Sequence, residues 1–142
     1  MSDQREFAER FFAAVMAKDM NAVLDFFTDD AELIDPHYPK MYMKGKAQIK
    51  DGLTWGFGSL EKFGFTITNY METTDGQRIA IEVATAHVVK GSMKLNFPQA
   101  FFIDVQNGKV ARVQAYEPYG PHGIGGFFLS LARLKRKLAG KG

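Results

Sequence analysis

Ile79-Ala80-Ile81-Glu82-Val83-Ala84-Thr85-Ala86-His87-Val88 alternates strictly, with Ile79, Ile81, Val83, Thr85 and His87 on one side and Ala80, Glu82, Ala84, Ala86 and Val88 on the other. A period of two marks an extended strand whose first face is buried. The same period runs outward on both sides, giving four extended runs near 63–73, 78–90, 93–106 and 109–119. Asp75-Gly76, Lys90-Gly91-Ser92 and Asn107-Gly108 join them as hairpin turns. Upstream the period lengthens. Residues 3–18 place Phe7, Phe11, Ala14 and Val15 on one side, with Asp3 and Glu6 in capping-box spacing, and Asp19 opens a second helix carrying Met20, Val23, Leu24 and Phe27. Thr28-Asp29-Asp30 breaks it before a short strand, Ala31-Glu32-Leu33-Ile34-Asp35; a loop over 36–45 and a third helix from Gly45 to about Leu60 follow. Helices segregated at the front and an antiparallel meander behind them predict an α+β fold, a curved, mostly antiparallel sheet covered by the N-terminal helices.

The 142 residues suit one domain with a proper core, at 46% hydrophobic and 24% charged residues, and 13 Phe point to an aromatic-lined interior. The absence of cysteine excludes disulfides and thiolate metal sites, and the polar start Met1-Ser2-Asp3-Gln4 predicts a cytoplasmic protein. The charge is uneven. Residues 127–142 hold Arg133, Lys135, Arg136, Lys137 and Lys141 and no acid, which leaves 13 basic against 16 acidic residues elsewhere, a net of −3. Nothing in that body resembles a nucleic-acid-binding face, and no apolar run is long enough to cross a membrane. The chain divides into a body, 1–120, and a basic amphipathic tail, 121–142. In the tail Phe127, Phe128, Leu131, Leu134 and Leu138 fall at helical spacing, which suits packing on the sheet or on a partner subunit, or contact with an anionic membrane surface.

Five polar residues interrupt the apolar stripes: Asp35 on the 31-33-35 face, Asn69 among Phe63, Phe65, Ile67 and Met71, His87, Gln99 beside Phe97 and Phe101, and Glu117 after Val113 and Ala115. On a curved sheet all five point into one apolar cavity, the usual make-up of a small-molecule site. A carboxylate with an imidazole performs acid–base chemistry near neutral pH, so Asp35 and His87 are the catalytic candidates. Gln99, Asn69 and Glu117 are candidates to bind substrate, with Tyr38, Tyr42 and Trp55 at the mouth. The opposing reading is structural: Asp35-Pro36 starts a turn, and His87 and Gln99 satisfy one another in a closed core. His37, His87 and His122 lack the pairing of a metal helix, and no glycine-rich phosphate loop follows a strand; neither metal nor cofactor is expected.

Arg10-Phe11-Phe12-Ala13-Ala14, Phe26-Phe27-Thr28-Asp29-Asp30-Ala31, Ile34-Asp35-Pro36 and Gly45-Lys46-Ala47-Gln48-Ile49 together resemble the SnoaL-like polyketide cyclase and ketosteroid isomerase branch of the nuclear transport factor 2-like superfamily. The resemblance runs from about Glu6 to Tyr119. It implies a cone-shaped α+β barrel with a deep pocket for a hydrophobic small molecule, commonly in a homodimer. The superfamily hosts isomerases, cyclases, dehydratases, epoxide hydrolases and noncatalytic binding modules, so it does not assign a reaction. Asp35 falls where the isomerases carry their proton-transferring aspartate. Their two oxyanion donors fall on Phe11, a pocket residue here without a hydroxyl, and, aligned on Pro98, on Ala100. His87 matches a pocket-facing aromatic position. An enzyme with Asp35 as general base on a carbonyl or epoxide is expected, with a noncatalytic binding or dimerisation module of the same fold as the alternative.

Overall fold

The computed structural model describes residues 3–118 and 123–140; Tyr119 and His122 of the sequence reading lie outside them. Helix α1 (Asp3–Met16) buries Phe7, Ala8, Phe11, Phe12 and Val15, the stripe its spacing predicts. Lys18 ends it in the left-handed region at φ 54, and its ammonium caps the far end of the third helix, donating to the carbonyls of Phe57 and Leu60. Asp19 then caps α2 (Met20–Asp25) by accepting from the Ala22 amide at 3.0 Å.

Strands β1 (Phe27–Ile34), β2 (Tyr42–Lys44), β4 (Phe65–Glu72), β5 (Arg78–Thr85), β8 (Pro98–Gln106) and β9 (Lys109–Tyr116) form a six-stranded sheet in the order β2-β1-β9-β8-β5-β4. All of its pairings are antiparallel except β1 with β9. The inner face stacks Ile79 opposite Ile103 opposite Val113, and Ile81 opposite Phe101 opposite Ala115. These side chains and those of α1 make the core.

The two runs expected at 78–90 and 93–106 are each interrupted. β5 stops at Thr85, and β6 (His87–Val89) leaves the main sheet to pair with β3 (Leu60–Lys62) and β7 (Met93–Leu95). The Thr85 hydroxyl marks the corner, donating to the Phe97 carbonyl at 2.8 Å and accepting from the Phe97 amide at 3.0 Å. Gly64 lies so close to the corner that a Cβ on it would sit 2.4 Å from the Ala86 carbonyl oxygen. Only glycine tolerates that approach. The split bends the sheet around a hollow, and helix α3 (Gly45–Ser59) lies across β1 and β2. The helix runs through all the glycines of its second half. Gly56 has a packing reason, since a Cβ there would meet the Tyr38 hydroxyl at 2.6 Å.

Helix α4 (Gly123–Leu138) carries the basic tail. Packing of its apolar side on the sheet is not what the structure has: every residue from Phe127 to Gly140 is exposed. No described helix is long and apolar enough to cross a membrane.

Candidate active site

The bend leaves a cavity of about 630 Å³ between the inner sheet face, α1 and α3. Its walls are mostly Phe and aliphatic side chains, and Asp35, His87, Gln99, Glu117, Tyr38, Trp55 and Phe11 all line it. Asn69 does not. A bulge in β4 lets Ile67 face Val83 while Asn69 faces Glu82, so Thr68 is an extra residue and the alternation inverts beyond it. Asn69 and Met71 are thereby turned to the outer face, where Asn69 is exposed and accepts from its neighbour's amide. Tyr70 takes the inner side, packed on the core. The inversion also corrects the sequence-level placement of Asn69 in the cavity. On β8 the inward positions are Gln99 and Phe101, and Ala100 lines the small outer groove with Asn69.

Asp35 sits one residue past β1, where Pro36 turns the chain. Its Oδ1 accepts from the His37 amide at 3.0 Å, and its carbonyl from the Tyr38 amide at 3.1 Å. The turn reading of Asp-Pro is therefore correct for one oxygen. The residue is nonetheless buried at 8% exposure, and a carboxyl oxygen of Asp35, one of Glu117 and a ring nitrogen of His37 lie within 4.8 Å of one another.

Glu117 is the partner that makes Asp35 unusual. It follows the end of β9, its side chain only 2% exposed, and its Oε1 accepts from Gln99 Nε2 at 2.7 Å. Burial pushes its carboxyl up to about 8, aided by a hydrogen bond and the charge of Asp35 and opposed by the Gln99 bond. Oε2 stands 3.3 Å from His37 Nδ1 without hydrogen-bond geometry. An acceptor with no donor is costly at such burial; a proton resting on Glu117 and shared toward Asp35 resolves it. Of the two carboxyls, Glu117 is the one that burial disposes to keep a proton.

His87 opens β6, beside Phe63, Phe65 and Phe97 at ring-centroid separations of 5.4, 4.9 and 5.8 Å. Its Nδ1 accepts from the Gly64 amide at 3.1 Å. That bond assigns the tautomer: the proton of the neutral ring is on Nε2, which has no acceptor among the described residues, and the ring lines the cavity. Burial lowers the pKa of His87, the charge of Asp35 opposing it. Burial, then Asp35 and Glu117, push the Tyr38 hydroxyl upward, so it too remains a neutral donor. Tyr38 is set deeper than a rim position, held in the notch at Gly56 and against Trp55 at 5.6 Å. Phe11 packs among Phe12, Phe26 and Phe27 and brings no hydroxyl.

His37, Gly64 and Gly56 are site residues that sequence reasoning passed over. Only the spacing Asp35-Pro36-His37 offered a signal. Asp35, His37 and Glu117 are also the described residues whose donors lie close enough to hold a cation.

The SnoaL-like domain pattern matches residues 8–113 of the chain. No curated protein matches the sequence. Among solved structures, a protein of ketosteroid isomerase-like fold from Catenulispora acidiphila, in complex with trimethylamine, is similar at TM-score 0.71 and 22% identity, over 81% of this chain and 87% of that one. A proposed polyketide cyclase from Pseudomonas putida is similar at TM-score 0.69 and 21% identity, over 84% and 94%. The epoxide hydrolase/cyclase-like enzyme SalBIII, of pyran ring formation in the polyether salinomycin, is similar at TM-score 0.71 and 16% identity, over 82% and 91%. Likenesses at this identity speak for the fold, and the pattern over residues 8–113 for the family: the chain belongs to the SnoaL-like domain family.

Proposed function

We infer that the cavity is the active site of an acid–base enzyme acting on an apolar small molecule with a carbonyl or epoxide oxygen. The observation that supports this most is the Asp35–Glu117 pair, two buried carboxyls of unlike environment at one end of a cavity otherwise lined by hydrocarbon. Asp35 is the base. It takes a proton from a carbon beside a carbonyl, or from a hydroxyl or water that attacks an epoxide carbon. Glu117 is the acid, giving its proton to the oxygen that gains charge. The Nε2–H of His87 and the hydroxyl of Tyr38 then stand in for the donors that Phe11 and Ala100 do not supply, and Gln99 holds Glu117 in place. A cavity of about 630 Å³ admits a molecule of a few fused rings or a folded polyketide-sized chain. That neighbours of the same fold are described as a proposed polyketide cyclase and as epoxide hydrolase/cyclase-like is in keeping with this reading. No metal or cofactor has a step in this scheme.

Turnover of ketone, epoxide and polyketide panels by the wild type and by Asp35→Asn tests the proposal. Loss of turnover by at least about 100-fold with the fold intact is expected; equal turnover refutes the role of Asp35. The use of Asp35 Oδ1 in a turn favours the second reading, a noncatalytic binding module. Under that reading no panel member is converted, and Asp35→Asn binds the same ligands with unchanged affinity. We place the protein in the cytoplasm as a homodimer, formed through the outer face of the sheet, where Met71, Phe102 and Tyr116 are exposed at 59, 44 and 52%.

A further inference from the structure

Helix α4 presents a well-defined exposed apolar surface. At about 100° per residue, Phe127, Leu131, Leu134 and Leu138 fall within an arc of about 60°. Phe128 stands apart, about 60° beyond one edge of that arc. All five are exposed, from 39% at Leu131 to 78% at Leu138. Lys135 and Lys137 stand on the two flanks of the stripe, and Arg133 and Arg136 lie farther round. Residues 127–142 contain no acid at all.

An exposed stripe of this length calls for an apolar cover. The charges decide which one. A protein groove would cover the stripe, and it would need acids along both rims to meet Lys135 and Lys137. A layer of anionic headgroups meets cations on both flanks at once, while the stripe enters the acyl boundary and the lysine stems reach back to the phosphates. The net of −3 on the rest of the chain contrasts with the wholly basic charge of residues 127–142, which such a surface attracts. We propose that α4 docks the protein on an anionic lipid surface, lying in the interface with Phe127, Leu131, Leu134 and Leu138 inserted and Lys135 and Lys137 on the headgroups.

The proposal does not depend on the chemistry assigned to the cavity, and its test changes no cavity residue. The full 142-residue chain is sedimented with vesicles of phosphatidylcholine alone and with about 30% phosphatidylglycerol. Binding is expected only to the anionic vesicles, with release as salt rises from about 0.1 to about 0.5 M. Lys135→Gln with Lys137→Gln should weaken partition about 30-fold, at roughly fivefold per cation. Leu134→Ala should weaken it about 10- to 50-fold through lost apolar insertion. Because these positions are exposed, melting temperatures should not change, and a shared melting curve shows that each variant is folded. Equal binding to neutral and anionic vesicles, or no binding, overturns the proposal. So does a Leu134→Glu variant that turns a dimer into a monomer in sedimentation equilibrium while the wild type ignores vesicles, since the stripe is then a contact between copies of this chain.

Discussion

Replacement of Glu117 by Gln should remove a pH dependence of stability that the fold itself creates. In the unfolded chain the carboxyl titrates at its ordinary 4.5, and in the folded protein at about 8. Between those values the folded state binds more protons than the unfolded state, so stability falls as pH rises. The contribution of the protonated acid is full below about pH 4.5, declines through the window and is lost above about 8. At about 1.4 kcal/mol per unit the ceiling is about 5 kcal/mol, and screening by water entering the cavity brings it to about 2–3 kcal/mol. Gln keeps an acceptor for Gln99 and a donor toward Asp35 and does not titrate. The variant should therefore match the wild type near pH 5 and exceed it near pH 9, by about 6–10 °C in melting temperature for a chain of this size. Calorimetry or circular dichroism across that range reads the difference curve, which also cancels the opposite trend from His87, whose lowered pKa adds stability as pH rises toward its ordinary value. Parallel curves for the two proteins would refute a Glu117 proton at neutral pH, and the acid role with it.

Gly64→Ala should cost about 3 kcal/mol or more, because its Cβ meets a backbone carbonyl rather than a movable side chain; chemical denaturation reads it, and a cost under about 0.5 kcal/mol would mean that the corner at Ala86 adjusts freely. Nitrogen NMR of labelled His87 near pH 7 should show a protonated Nε2 and an unprotonated Nδ1, titrating below the ordinary histidine range; the opposite tautomer would remove it as a donor to substrate. Phe102→Lys should shift a dimer to a monomer in sedimentation equilibrium without loss of helix or sheet signal, and an unchanged mass would move the subunit contact elsewhere.

Periodicity carried the fold because burial and alternation are the same fact along a strand: Ile79, Ile81, Val83 and Ile103 are buried where the pattern puts them. Turn residues carried the connections, and Asp19 its helix cap. The pattern is blind to an insertion of one residue. Thr68 does that in β4, and Asn69 leaves the cavity for the surface as a result. The corner at Ala86 was equally hidden, since His87 keeps the alternation of β5 while belonging to another sheet; the clue is Gly64, remote in sequence and meaningful only once the two strands meet. Asp35, His87, Gln99 and Glu117 stood out as polar exceptions on apolar stripes. Their pairing did not: that Gln99 and Asp35 both serve Glu117, rather than Gln99 serving His87, depends on distances across three strands.

The account rests on Glu117 keeping its proton at neutral pH beside the Asp35 carboxyl. Infrared difference spectra of the protein, with Glu carboxyls carbon-13 labelled and Glu117→Gln as the blank, observe that proton directly. A protonated-carboxyl band that is present near pH 7, shifts with the Glu label, fades through about pH 8 and is missing in the variant is the predicted result. A spectrum in which every Glu is ionised by about pH 6 would contradict it.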